Sequence, residues 1–466
     1  MKAALPRVVA FVAAMGMVSP HAARAQGASG ISPFLRSVPS GTATSQAIPI
    51  GIGDAIGRAL EHNLGLLLAE HRTVRARGSR SVALSELLPQ VNGQIGERRQ
   101  VVNLAAFGFP LPAATPSVVG PFNIFDARVS LAQSVFDAKA LNDWRAERHT
   151  LAAADFSYKS ARDLVVLAAA DTYLRALAAA SRAESVRAQL RTAEALSAQA
   201  ADLKAAGIIA GIDVLRAQLQ VSTQRQRATA ADSDAQKVKL QLARVIGLPS
   251  GQPFTLVDEV PTIARPTLTL DEAIAHALAS RPDYQAALAH VRAAESDRRA
   301  ARGESLPSVQ VNADYGEIGR TASSAERTYA ISGSVVVPIF GGGRRVGHRL
   351  EADAELRSRQ AEAEDLKASI DYEIRTSFLD LQSSESQLQV AMEARALADQ
   401  QLTQSRDRLA AGVANSIEVV QAQESVALAS EQYITALYSF NRAKATLARD
   451  LGDAEAAARR DIGGIR

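Results

Sequence analysis

Two carboxylates stand at matching places in a motif that occurs twice. Asp213 follows Gly207 by six residues, and Glu418 follows Gly412 by six. Repeated acids can attract or hold cations. Each also suits the first turn of a helix, where the helix dipole favours negative charge, and that accounts for either residue alone. Other reactive constellations are sparse. The seven histidines form no close pair at metal-ligand spacing on one helix face, and there is no cysteine. That composition excludes disulfides, thiolate metal sites, a cysteine nucleophile and a lipid anchor on cysteine. Gly341-Gly342-Gly343-Arg344-Arg345 lacks the Gly-Lys-Ser/Thr ending of a phosphate loop and reads as a flexible strand-to-helix joint. No Gly-x-Ser-x-Gly elbow occurs, so an exported hydrolase has no recognisable catalytic set. No metal and no cofactor is expected.

The elements that carry the two acids are themselves duplicated. Shifted by 218, residues 55–91 align without a gap on 273–309, with 12 of 37 positions identical. Shifted by 205, residues 205–218 align on 410–423, with seven of 14 identical. The second shift also pairs Leu242-Ala243-Arg244 with Leu447-Ala448-Arg449, and Gly247 with Gly452. Because the offset falls by 13, the first unit holds an insertion, which residues 103–121 are placed to supply. A duplication on this scale outweighs any single motif.

Both units read in the same order. A helix of about ten turns ends at Leu-Pro, with prolines at Pro89 and Pro307. Two strand-like segments follow, then a very long helix, a turn at Gly207 or Gly412, and a return helix. Residues 138–204 contain neither proline nor glycine, which at 1.5 Å per residue allows a helix of ~100 Å. Residues 353–411 are similarly uninterrupted. Helices this long pack side by side as coiled coils or helical barrels, and abundant alanine permits close approach. The strand segments alternate with period two. Phe125, Ala127, Val129, Leu131, Gln133 and Val135 interleave with Asp126, Arg128, Ser130, Ala132 and Ser134. Val309, Val311, Ala313 and Tyr315 repeat the pattern, as do Tyr329, Ile331, Gly333, Val335, Val337 and Ile339. Segments of about ten alternating residues match tilted membrane strands, or an ordinary half-buried sheet. Trp144, the single tryptophan, follows the first strand pair as an interfacial anchor or as packing between helix and strands.

The chain ends bound the compartment. Lys2 and Arg7 precede an apolar run over residues 8–18, and Ala23-Arg24-Ala25 offers a small-x-small cleavage site. Residues 1–25 therefore read as a cleaved secretory signal. Removing the three bases there leaves 49 basic and 49 acidic residues from 52 and 49. A neutral protein is no general nucleic-acid binder. No later stretch is an uninterrupted apolar run of spanning length. Export without a membrane helix leaves a soluble periplasmic protein, a secreted one or a β-barrel. Four strands cannot close a channel alone, so a barrel requires several chains. Residues 26–49 are rich in Gly, Ser, Pro and Thr and are expected to be poorly ordered. The remaining division is repeat one over 50–246, a linker over 247–266, repeat two over 267–453 and a tail over 454–466.

In this order and duplication the chain resembles the TolC-like outer membrane efflux proteins, over about residues 50–453. The resemblance rests also on Val337-Pro338-Ile339-Phe340-Gly341-Gly342-Gly343-Arg344 and on the repeated Ala-Gly-x-x-x-x-Ile-acid-Val-x-x-Ala-Gln turn. It implies a mainly α fold with a small transmembrane β part. Long antiparallel helices would form a periplasmic α-barrel, and four strands per chain would join a trimeric 12-stranded β-barrel. It implies a homotrimer in the outer membrane lipid of a Gram-negative-type bacterium. Such a trimer is no enzyme. It is a passive exit duct of a tripartite efflux or type I secretion system. A periplasmic membrane-fusion adaptor would join it to an inner-membrane transporter, with no nucleic acid involved. By resemblance, Ala206, Gly207, Ile208, Ala411, Gly412 and Val413 would contact the adaptor. The bland alternative is that the glycines only turn the chain while Ile208 or Val413 packs internally. By resemblance too, Asp213 and Glu418 would put six carboxylates around the periplasmic entrance and favour cations. Ala414 stands where some members have a latching arginine. The alternative for the whole chain is a periplasmic coiled-coil adaptor or scaffold without a pore.

Overall fold

The computed structural model describes residues 32–108, 116–257, 268–411, 413 and 416–461. The expected signal segment, Gly412 and Ala414 lie outside these residues. In chain order the elements are β1 (Ile48–Ile50), α1 (Ile52–His62), α2 (Leu64–Ser85), β2 (Gln90–Asn103), β3 (Val118–Phe136), α3 (Ala138–Ala205) and α4 (Gly211–Val245). Then follow β4 (Phe254–Leu256), α5 (Leu270–Ser280), α6 (Pro282–Gly303), β5 (Ser308–Gly319), β6 (Glu326–Val336), α7 (Arg344–Ala410), α8 (Ser416–Asp450) and α9 (Ala454–Asp461).

The helix of ten turns expected before each Leu-Pro is two helices instead. Asn63 and Arg281, equivalent under the 218-residue shift, both leave the helical region at ψ 129° and 120°. Pro282 disfavours helical geometry at Arg281. Asn63 starts a new helix, its Oδ1 accepting the Gly65 N–H at 2.9 Å. The helices before the breaks start alike. The Asp54 carboxylate accepts the Gly51 N–H at 3.0 Å, and the Glu272 carboxylate accepts the Thr269 N–H at 2.9 Å. Some of the repeat identities lie in the core. Ala55, Ala59, Ala273 and Ala277 are fully buried, as are Leu242 and Leu447. Ala55, Val165, Tyr173 and Leu242 belong to one cluster; Ala273, Ile370, Ile374 and Leu447 belong to another.

The 68-residue α3 and 67-residue α7 carry the length of the molecule. One 18-residue window of α3 reaches a mean hydropathy of 1.4, enough on composition to cross a membrane. Half of that window is buried, and α3 supplies Val165, Val166, Ala169 and Tyr173 to the first core, so it is a core helix. Trp144 lies in α3, with the Arg148 guanidinium one turn along the same helix 5.7 Å from its ring centre.

The strands form one antiparallel sheet in the order β2-β3-β5-β6. Its register sorts the alternating residues into two faces. Val91, Leu131, Ala313 and Ile331 make one row, and Gly93, Val129, Tyr315 and Tyr329 make another on the same face. Between them lies the row Asn92, Ser130, Asp314 and Ala330, which points to the other face with Gln90, Ala132, Asn312 and Ser332. One face is therefore apolar and the other polar. On the polar face Arg128 pairs with Asp126 and reaches Asp314 at 3.4 Å. Gly316 lies opposite Arg128, and a Cβ there would stand 2.4 Å from the Arg128 Cγ. The connection from β2 to β3 covers residues 104–117, against 320–325 between β5 and β6. The 14-residue β2 and 19-residue β3 are also longer than the 12-residue β5 and 11-residue β6, so the extra residues of the first unit are shared between the strands and their connection.

Residues 32–50 differ from the poorly ordered segment expected of their composition. β1 pairs in parallel with β4, so part of the expected linker is strand as well. Phe34 packs against the first core, and Asn63 Nδ2 donates to the Phe34 carbonyl at 2.7 Å. These few apolar contacts fix a segment whose Gly, Ser and Pro content suggested none.

Candidate functional site

The two repeated turns are built by the same helix-ending geometry. At the end of α3, Gly207 takes φ +73°, the left-handed conformation that closes a helix at little cost for glycine. The Ile208 N–H donates to the Leu203 carbonyl at 2.9 Å, and the Gly207 N–H to Lys204 at 2.9 Å. At the end of α7, Val413 donates to the Arg408 carbonyl at 3.0 Å in the equivalent 6→1 bond. A Cβ on Gly207 would meet nothing within 4 Å, so the position needs its φ and not its small size.

Ile208 is 68% exposed and Val413 is 67% exposed. Neither is buried within the single chain. Ile209 turns in instead, against Ala200, Val214 and Ala217. Ile212, Leu215 and Leu219 extend the exposed apolar surface along one face of α4.

Asp213 sits in the first turn of α4, and Glu418 in the first turn of α8. Both therefore gain from the helix dipole. Each also has an arginine partner. Arg216 Nη1 lies 3.3 Å from Asp213 Oδ1, and Arg408 Nε lies 3.0 Å from Glu418 Oε1. Sequence reasoning missed both arginines. Their repeat equivalents are Gln421 and Leu203, so the duplication gave no signal. The Arg408 pair also crosses the second turn, tying the end of α7 to the start of α8.

A second charged group lies at the other end of the return helix. Arg281 is 2% exposed, and its guanidinium holds Asp283 at 2.6 Å and Glu373 at 2.6 Å. Arg449 also reaches Glu373, at 3.1 Å, and Asp450 at 2.9 Å. Burial works against the charge of Asp283, but the Arg281 guanidinium outweighs it and holds the carboxyl below its usual range. Treating such charges as solvated faces misplaces Arg281. The signal was its position before Pro282, where the helix must break. Nearby, burial pushes Asp163 on α3 up to about 6 while it accepts the Glu455 backbone N–H of α9. Arg162 clamps the Glu455 carboxylate with bonds of 2.8 and 2.7 Å.

The comparisons with known proteins agree with this architecture. The family described as "Outer membrane efflux protein" matches residues 55–248 and 273–453, one span for each unit. The chain is 25% identical over 407 residues to the pyoverdine export outer membrane protein OpmQ of Pseudomonas putida, covering 85% of this chain and 84% of that one. Among solved structures it is similar to the Campylobacter jejuni CmeC outer membrane channel, with a TM-score of 0.73 at 16% identity, covering 91% of this chain and 92% of the other. It is similar in the same way to the outer membrane protein VceC of Vibrio cholerae, with a TM-score of 0.73 at 20% identity, covering 86% and 96%.

Proposed function

The chain belongs to the outer membrane efflux protein family, and from that premise we propose that three copies assemble into one exit duct. It is an outer membrane efflux channel. The observation that carries the trimer is the four-stranded sheet with β2 and β6 at its edges. An unpaired edge is excluded from lipid, where every backbone N–H and C=O needs a partner. Four strands are too few to close on themselves around a channel. Pairing β6 of one copy with β2 of the next satisfies both edges, and three copies give 12 strands. The apolar face then meets lipid, and the polar face with Asp126, Arg128 and Asp314 lines the lumen. The 68-residue α3 adds a tunnel of ~100 Å below the membrane.

Transport through such a duct is passive, with no catalytic step. The turns Ala206-Gly207-Ile208 and Ala411-Gly412-Val413 receive a periplasmic adaptor, which joins the duct to an inner-membrane transporter. Exposed Ile208 and Val413 suit that docking, because apolar side chains at a tight turn can be covered by a partner's tip. Asp213 and Glu418 from three copies place six carboxylates near the entrance. The arginine beside each lowers the net field, so the cation preference they impose is moderate.

The test is the protein mass of the detergent-extracted protein, measured by light scattering after size exclusion. Three copies per particle support the shared barrel. A stable folded monomer or dimer would leave the sheet edges open and remove the duct. The pore-free scaffold has no use for a sheet whose exposed face carries Val91, Val129, Ile331 and Tyr329.

A further inference from the structure

A cavity of about 610 Å³ lies partway along the helices, between α3 and α8, with α4 and α7 contributing at its margins. Its size falls among sites for small molecules. Leu174, Leu177, Leu402, Val426, Ile434 and Leu437 give it apolar walls. Cross-links hold α3 and α8 together, among them Arg182 to Glu431 at 2.7 Å and the Tyr438 hydroxyl donating to Asp171 at 2.7 Å.

Polar side chains share the lining with these apolar walls, among them Gln224, Gln423, Ser430 and Asn441. Gln224 is 2% exposed, it lines the cavity, and its Oε1 has no hydrogen-bond partner among the described residues. A buried acceptor left unpaired costs free energy, which an incoming donor would recover. The margin carries charges of both signs, Glu184 and Asp399 beside Arg395, so no single ligand charge is favoured. Glu184 faces Arg191 at 3.1 Å, and the Arg395 guanidinium sits 4.9 Å from the Tyr433 ring centre. These surroundings suit an apolar ligand without charge.

We propose that this cavity binds a small uncharged amphipathic molecule, whose hydrogen-bond donor engages Gln224 Oε1 while its apolar body fills the space between the two repeats. The occupant bridges α3 of the first repeat and α8 of the second. It therefore fixes the spacing of the two helical hairpins whose turns form the candidate entrance. Nothing in this binding depends on the number of copies, so it can succeed or fail separately from the trimer.

N-phenyl-1-naphthylamine is a suitable probe, being apolar, uncharged and equipped with one N–H. Its fluorescence is titrated against the detergent-extracted full-length protein, with Val426→Phe filling the cavity and Gln224→Leu removing the acceptor. Micelle partitioning is common to all three. The expected result is a saturable signal of one probe per chain in the wild type. Val426→Phe should weaken it at least tenfold, and Gln224→Leu about fivefold, the loss of one net hydrogen bond. If Val426→Phe does not assemble, Ser430→Phe fills the same cavity from α8. An equal saturable signal with the cavity filled, or none in the wild type above empty micelles, overturns the site. Undiminished affinity in Gln224→Leu overturns the stated ligand class.

Discussion

Asp213 and Glu418 each answer to two influences, a helix dipole and a neighbouring arginine. Removing the two charges tests what they do at the candidate entrance. Asp213→Asn with Glu418→Asn is expected to lower cation preference in a reconstituted pore, read as a reversal potential closer to zero across a salt gradient. An unaltered reversal potential would leave both acids as helix caps. Asp163 is governed by burial. Its carboxyl is held up at about 6 in the fold, against 3.8 ordinarily, because burial disfavours the charge. Between those values the unfolded chain ionises while the fold keeps the proton, so stability falls as pH rises through that window and stays lower above it. Asp163→Asn keeps an acceptor for the Glu455 N–H and removes the charge. It is expected to stabilise the fold at pH 7.5 by up to about 3 kcal/mol, and by nothing below pH 4. Thermal unfolding of both proteins at the two pH values checks this. The acids in the turns were legible because the motif repeats. Asp163 was not, since its burial depends on α9 arriving from almost 300 residues away.

At the scale of elements, glycines end the return helices as Gly207 ends α3. Gly247 and Gly452 take φ +71° and +79°. Their roles differ from that of Gly207 in one respect. A Cβ on Gly247 would stand 2.6 Å from the His62 Cβ, and one on Gly452 would stand 3.0 Å from the Arg281 Cα. Each return helix thus closes against the break that separates α1 from α2, or α5 from α6. Gly207→Ala is expected to cost about 1 kcal/mol from its backbone conformation alone. Gly247→Val adds a clash and a β-branched side chain, and is expected to cost about 3 kcal/mol or more. The melting temperatures of the two variants measure the difference. Equal losses would show that the close approach at His62 relaxes freely. The pairing of Gly247 with Gly452 was visible in the sequence. Their contacts were not, because His62 and Arg281 differ in type and lie far away along the chain.

For the whole molecule, the register of the sheet decides which surface meets lipid. Ile331 lies on the apolar face and is 75% exposed in the single chain, whereas Ser332 beside it lies on the polar face. Ile331→Lys is expected to cost about 2–4 kcal/mol of membrane stability if it lies near the bilayer midplane, and Ser332→Lys much less. Folding into lipid vesicles under a urea titration measures both. Comparable tolerance of the two would remove the assignment of the faces. The alternation itself was readable from residues 309–315 and 329–339, because period two is a local property of strands.

Local rules therefore settled much of this protein from sequence. Freedom from proline and glycine over residues 138–204 fixed a helix close to the α3 that forms. The duplicated turn fixed where it reverses, and alternation marked three of the four strands of the large sheet. These features need only neighbouring residues and the geometry of the backbone. The tertiary structure decided the rest. It split the expected long helix at Asn63 and Arg281, where a cap and a proline prevail over helical pattern. It gave residues 32–50 a place against the first core, which composition alone could not supply. It set Arg216 and Arg408 beside the repeated acids, buried Arg281 among carboxylates, and left Gln224 facing a cavity. Each of these depends on groups brought together across long stretches of chain, and the energies of burial and pairing exist only once those groups meet.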